Sequence, residues 1–177
     1  RQMTSWKISN EWTQMGKWNK VCFVLLWGWL SLLLLSPYMI DNGTTGDLNG
    51  VVGKYDNKEV IDDMNIIARS IYYIGDLNCH QLSNRSYSYN DNQMSFCARD
   101  TGIFVGLVLG FMYASRKKII LTLPIIIAAL LPIGLDGTIQ LLTDYESTNP
   151  KRLITGLIAG VVTGIAVKII ADSLDKK

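Results

Sequence analysis

The sequence predicts an all-α fold, an integral membrane bundle of four transmembrane helices, and three observations predict it. Residues 21–40, VCFVLLWGWLSLLLLSPYMI, run without a charge for the length a helix needs to cross a hydrocarbon core of roughly 30 Å. Three more apolar runs follow at 97–115, 119–140 and 152–171. Apolar residues make up 49% of the 177 and charged residues 18%, yet the two classes lie in separate blocks, where a soluble domain mixes them. With 17 basic and 15 acidic residues the net charge is +2, too balanced for a protein that grips nucleic acid by its phosphates. Nucleic acid is therefore set aside as a partner, and the lipid bilayer takes its place.

Each element follows in order. Residues 1–20 place Trp6, Trp12 and Trp18 among polar residues, the composition of an interfacial anchor at headgroup level. The run 21–40 exceeds the apolar part of a signal peptide and no small-residue cleavage site follows it, so it is read as a span. Its Cys22 is a small packing residue. Within the segment 41–98, DNGTTGDLNG at 41–50 is turn-rich. Residues 58–75 carry Val60, Ile61, Met64, Ile67, Ala68, Ile71 and Ile74 near helical spacing, predicting an amphipathic helix on the bundle or on the membrane surface. Asn42-Gly43-Thr44 and Asn84-Arg85-Ser86 fit the glycosylation acceptor pattern.

The second run is long enough only if its helix begins near Cys97. The third contains Pro124 and Pro132, which spans tolerate where neighbours satisfy the freed carbonyls, and the fourth carries a Lys168 that can snorkel. Gly102, Gly106 and Gly110 in the second run, and Gly156, Gly160 and Gly164 in the fourth, recur every four residues. Such stripes let two helices approach closely, so these two are expected to pack together.

Basic residues set the direction. With four spans, the N-terminal segment, the Arg116–Lys118 turn and the C-terminal tail share one side, which the positive-inside rule makes cytoplasmic. Segment 41–98 and the connection DGTIQLLTDYESTNPKR then lie outside the cytoplasm of a multi-pass cell-membrane protein, where thiols can be oxidised.

Polar residues gather at that outer face. Arg99, Asp100 and Thr101 open the second span, Asp136 and Gln140 close the third, and Arg152 and Thr155 open the fourth. A charge within a span costs at least ~2.5 kcal/mol, so it is paired, functional, or marks the water boundary. Arg99 and Arg152 are placed to neutralise Asp100 and Asp136 across a shared vestibule. Cys79, His80, Cys97 and Asp100 offer two sulfurs, an imidazole and a carboxylate, a set that zinc or another divalent metal accepts. A Cys79–Cys97 disulfide competes, closing a loop of about 20 residues for about 3 kcal/mol, and free thiols are the third alternative. For catalysis the candidates are His80, Asp136, Arg99, Arg152 and Gln140, with His80 or Asp136 as general base beside a metal that activates water.

Four stretches in order, CHQLSNRS, FCARDTGIFVGLVLG, PIGLDGTIQLL and ESTNPKRLITGLIAG, resemble a family of prokaryotic predicted membrane proteins described as domain of unknown function 2085. The resemblance covers residues 75–165. It implies that Cys79, His80, Gln81, Arg85, Cys97, Arg99, Asp100, Thr101 and Gly102 belong to shared motifs, together with Asp136, Gly137, Gln140, Arg152, Thr155 and Gly156. It also implies that Asp100 stands where relatives often carry the second cysteine of a C-x-x-C. A position that takes either residue suits a metal ligand, and the aspartate argues against thiol–disulfide chemistry by such a pair here.

Three functions are compatible with these residues. The first is an outward-facing metal or polar site, with hydrolase or transferase chemistry on a lipid or envelope substrate. A second is a channel or transporter whose path is lined by Asp100, Asp136, Gln140 and Arg152. The third is an accessory subunit, built for a homo-oligomer or a partner membrane protein and closed by a Cys79–Cys97 disulfide.

Overall fold

The computed structural model describes residues 14–176, so Trp6 and Trp12 of the expected anchor lie outside the described residues. Helix α1, Lys17–Leu35, has no side-chain cap of its own. The Asp175 carboxylate, from the other end of the chain, accepts from the backbone N–H of Trp18 at 2.8 Å and of Asn19 at 3.1 Å. An anion thus satisfies two orphan donors at the end where the helix dipole favours negative charge. At the other end Pro37 has no N–H to continue the ladder, and the chain leaves through a 3-10 turn, Ser36–Tyr38.

The amphipathic stretch 58–75 does not form one helix. Asn65 takes an extended backbone and its side-chain oxygen accepts from the N–H of Ile67 and of Ala68, each at 3.1 Å. This cap starts a new helix, so the run divides into α2, Lys58–Asp62, and α3, Ile66–Asn78. Ile61, Met64, Ala68 and Tyr72 form a small core with Leu48, while Ile67 and Ile74 of the expected apolar face are exposed. A two-stranded antiparallel hairpin, β1 Ser88–Tyr89 and β2 Asn92–Gln93, also interrupts the all-α reading. Asn90 and Asp91 turn it at φ of 54° and 51°, left-handed values that these two residue types tolerate better than most.

Three long helices complete the chain: α4, Ala98–Arg116; α5, Leu123–Leu142; and α6, Asn149–Asp175. Helices α4 and α6 run in parallel with their glycine stripes facing each other. A Cβ on Gly102, Gly106 or Gly110 would fall 2.0–2.4 Å from the carbonyl oxygens of Leu153, Leu157 and Val161 in turn. On Gly156, Gly160 or Gly164 it would meet those of Arg99, Ile103 and Leu107 at 2.1–2.2 Å. The backbones touch, and only hydrogen leaves room for that.

By length and composition three described segments can cross a membrane: α1 through Tyr38, α5 and α6. Helix α4 is not among them, because Arg99, Asp100 and Thr101 fill its first turn and glycines dilute the rest. The expected count of four spans therefore has three by this measure. Helix α5 buries none of its residues, and Leu123, Ile127, Leu131 and Leu135 are all more than half exposed. An exterior of this kind needs a nonpolar surround.

The segment between α1 and α4 is fastened to the bundle by a second core. Leu33 of α1 packs with Cys79, Met94 and Phe96, and Trp29, Phe96 and Phe104 meet edge to face at centroid distances of 5.4–6.0 Å. This core sets both cysteines beside the first turn of α4.

Candidate functional site

Cys79 ends α3, its N–H donating to the Gly75 carbonyl at 2.8 Å, and Cys97 occupies the N-cap of α4. Asp100 follows one turn later, on the face that Cys97 overhangs, and the Cys97 thiol donates to Asp100 Oδ2 at 3.2 Å. One ligand atom from each of Cys79, Cys97 and Asp100 lies within 4.8 Å of the other two. Both thiols are free. Hydrogen bonding with Cys97 holds the Cys79 thiol below its ordinary range, against burial and the Asp100 charge, which act the other way. The same hydrogen bond, with burial, pushes the Cys97 thiol up, although a metal would require both sulfurs as thiolates.

His80 is not part of this group of three. It is exposed, because side chains of successive residues in extended backbone leave on opposite sides, and Cys79 takes the inward side. Gln81 then turns inward at φ 46° with its amide wholly buried. Its Nε2 donates to the Ser95 carbonyl at 2.8 Å, and its Oε1 accepts from Asn57 Nδ2 at 3.1 Å. The backbones meet closely here too: a Cβ on Gly75 would lie 2.0 Å from that same Ser95 oxygen. The role of Gln81 is to fix the path of the loop that carries Cys79, His80 and Arg85.

Next to the thiols opens a cavity of about 290 Å³ whose wall includes His80, Arg85, Arg99, Gln140 and Arg152 as well as Cys79. Arg99 makes an ion pair with Asp136 that ties α4 to α5. Arg152 is 2% exposed. Its nearest acceptors are Asn149 Oδ1 at 3.3 Å and the Gln140 carbonyl, and Glu146 stands at 3.8 Å. With the Gln140 amide oriented to satisfy both its ends, the oxygen also accepts from Arg85 at 2.9 and 3.0 Å and from Arg152 at 3.3 Å. Glu146 is shared, lying 3.3 Å from Arg85 and 2.9 Å from Asn84 Nδ2. A larger, more open hollow of about 650 Å³ lies over Asp47, Asp56 and Ser83, but the Asp56 carboxylate there is engaged by the Val51 N–H at 2.7 Å.

The five residues singled out for catalysis thus gather in one neighbourhood: His80, Arg99, Gln140 and Arg152 line the cavity, and Asp136 stands behind Arg99. Glu146 and Asn84 escaped the reading of candidate residues. Both lie in the four resembling stretches, and Asn84 stood out only as a glycosylation acceptor, while an exposed glutamate in a connection has no pattern of its own.

The family model described as Predicted membrane protein (DUF2085) matches residues 79–166. An uncharacterized protein of Methanothermobacter thermautotrophicus is 34% identical over 95 residues, which is 52% of this chain and 86% of the relative. The chain belongs to the DUF2085 family. A second uncharacterized relative, from Methanocaldococcus jannaschii, is 39% identical over 99 residues, or 53% of this chain, and the chain spans 64% of that relative's length. No solved structure matches. The family segment begins at Cys79 and takes in the two cysteines, the three arginines, Asp136 and the paired glycines. Helices α1, α2 and α3 lie before it.

Proposed function

We propose that this DUF2085 protein is a four-span protein of the cell membrane that presents, outside the cytoplasm, a divalent-metal site made by Cys79, Cys97 and Asp100 beside an arginine-lined cavity whose wall includes the two cysteines. The observation that carries this reading is the approach of two sulfurs and a carboxylate oxygen to within 4.8 Å of one another. Ligands of a tetrahedral zinc ion stand roughly 3.5 Å apart given the usual metal–ligand distances, so the set would contract by about an ångström to hold one. Three protein ligands leave a fourth position, the pattern of a reactive rather than a structural metal. A metal held there supplies Lewis acidity, and the adjoining cavity supplies the binding space. Hydrolysis or group transfer on a lipid or envelope substrate is the reaction class that fits.

The topology has its own support. Helix α4 lies backbone to backbone along α6, so the two share their depth in the bilayer. Lys17, Lys20, Arg116, Lys117, Lys118 and Lys168 collect toward the end where Asp175 caps α1, which the positive-inside rule makes cytoplasmic.

Elemental analysis of the purified full chain tests the metal site. About one equivalent of a divalent transition metal per chain is expected in the wild type after zinc is supplied. Cys97→Ser and Asp100→Asn should each lower it while keeping the native elution volume. Wild-type protein that retains no metal overturns the reading.

A further inference from the structure

The cavity beside the thiols has a charge pattern that the metal reading does not use. Its wall contains three guanidinium groups, Arg85, Arg99 and Arg152, and no carboxylate. The neutralising acids stand behind or to the side, and only one of them pairs closely with a cation. Asp136 is taken up by Arg99. Glu146 is half exposed and divided between Arg85 at 3.3 Å and Arg152 at 3.8 Å. Charge-assisted N–H···O bonds between close partners run about 2.7–2.9 Å, so buried Arg152, with no acceptor nearer than 3.3 Å among the described residues, lacks one there. Arg99 Nε is likewise buried with no partner among the described residues. A buried cation such as Arg152, without a close anion, would be stabilised by one.

We propose that this cavity binds a phosphate group, with Arg85, Arg99 and Arg152 as its donors and His80 at its edge; this rests on the reading of the outer rim as a substrate site and names the substrate class. Three guanidinium forks converging from a loop and two different helices match a tetrahedral anion, whose oxygens point in several directions. A carboxylate has two oxygens in one plane and serves one or two forks. The volume of about 290 Å³ is at the low end for ligand pockets, enough for a headgroup and too small for a whole lipid. Leu141 also lines the cavity and is 83% exposed, and its neighbour Leu142 is 75% exposed. The opening therefore adjoins the apolar flank of α5, where acyl chains would lie if the phosphate belongs to a lipid.

The test is calorimetric titration of the purified full chain in neutral detergent with inorganic phosphate, with dihexanoyl phosphatidate and with acetate, before and after stripping with chelator. Saturable binding of a phosphate probe is expected, weakened about tenfold or more by Arg152→Met and by Arg85→Met. Tighter binding of the phosphatidate than of inorganic phosphate assigns the group to a lipid headgroup, and equal binding assigns it to free phosphate; both support the proposal. No saturable binding, acetate binding as tightly, or binding indifferent to both arginine variants overturns it. Phosphate binding that survives stripping stands even if the protein proves to hold no metal, whereas binding that disappears with the metal belongs to the metal and also overturns the proposal. Each variant is compared with wild type in thermal unfolding, so a folding failure is recognised as such.

Discussion

The two ends of the bundle both carry buried polar residues and treat them differently. At the end where α1 begins, Asn19 Nδ2 donates to Asp172 at 2.9 Å and to Asp175 at 2.6 Å, and Lys168 meets Asp172 at 2.6 Å. The charges and the Asn19 donors close on one another there, with Asn19 Oδ1 alone left buried without a partner among the described residues of the cluster, and the cluster acts as a clamp joining α1 to α6. At the opposite end Arg152 is as deeply buried, but its acceptors stand at 3.3 Å or more and a cavity opens in front of it. Depth in the bundle is therefore not what separates a structural polar group from a site. Close pairing of the charges is, because an unmatched buried charge is held in place only if the rest of the fold carries its cost.

The largest effect should come from breaking what holds the two ends in register. Gly160→Leu forces a side chain to a point 2.2 Å from the Ile103 carbonyl oxygen, backbone that cannot yield. A loss of more than about 4 kcal/mol is expected, read as failure to obtain monodisperse protein in detergent. A variant eluting and melting like wild type would mean that the helices do not meet there. Next comes the clamp: Asn19→Leu removes two hydrogen bonds to carboxylates and should lower stability by about 2 kcal/mol in a thermal melt, with metal content unchanged. The smallest change, and the most telling, is Arg152→Met. Replacing an under-paired buried cation with an apolar side chain of similar length should be neutral or stabilising by ~1 kcal/mol or more, although phosphate binding at the cavity should weaken. Should Arg152→Met melt as far below wild type as Asn19→Leu, the two ends are equivalent and the contrast fails.

The sequence was most legible where one physical constraint acts alone. An uncharged run of span length needs a bilayer whatever surrounds it, and glycines at four-residue spacing on two helices make a flat surface that has few other uses. The amphipathic stretch was less legible, since apolar spacing continues through Asp63 and Asn65 while the Asn65 side chain caps a new helix there. His80 shows the same limit at the site. Its residue type marks it as a metal ligand, but the extended backbone at Cys79 sends the two side chains apart.

From the amino-acid order alone came membrane residence, the family, the pairing of α4 with α6, and the set of polar residues at one rim, because hydropathy, charge and glycine spacing act locally along the chain. Tertiary structure alone decided which three of four candidate ligands converge, that Glu146 is shared between two arginines, and that Arg152 faces a cavity with its acceptors at 3.3 Å or more. Those outcomes depend on distances between side chains from separate helices and loops, set to within an ångström by how the backbones pack, and no local pattern in the chain encodes them.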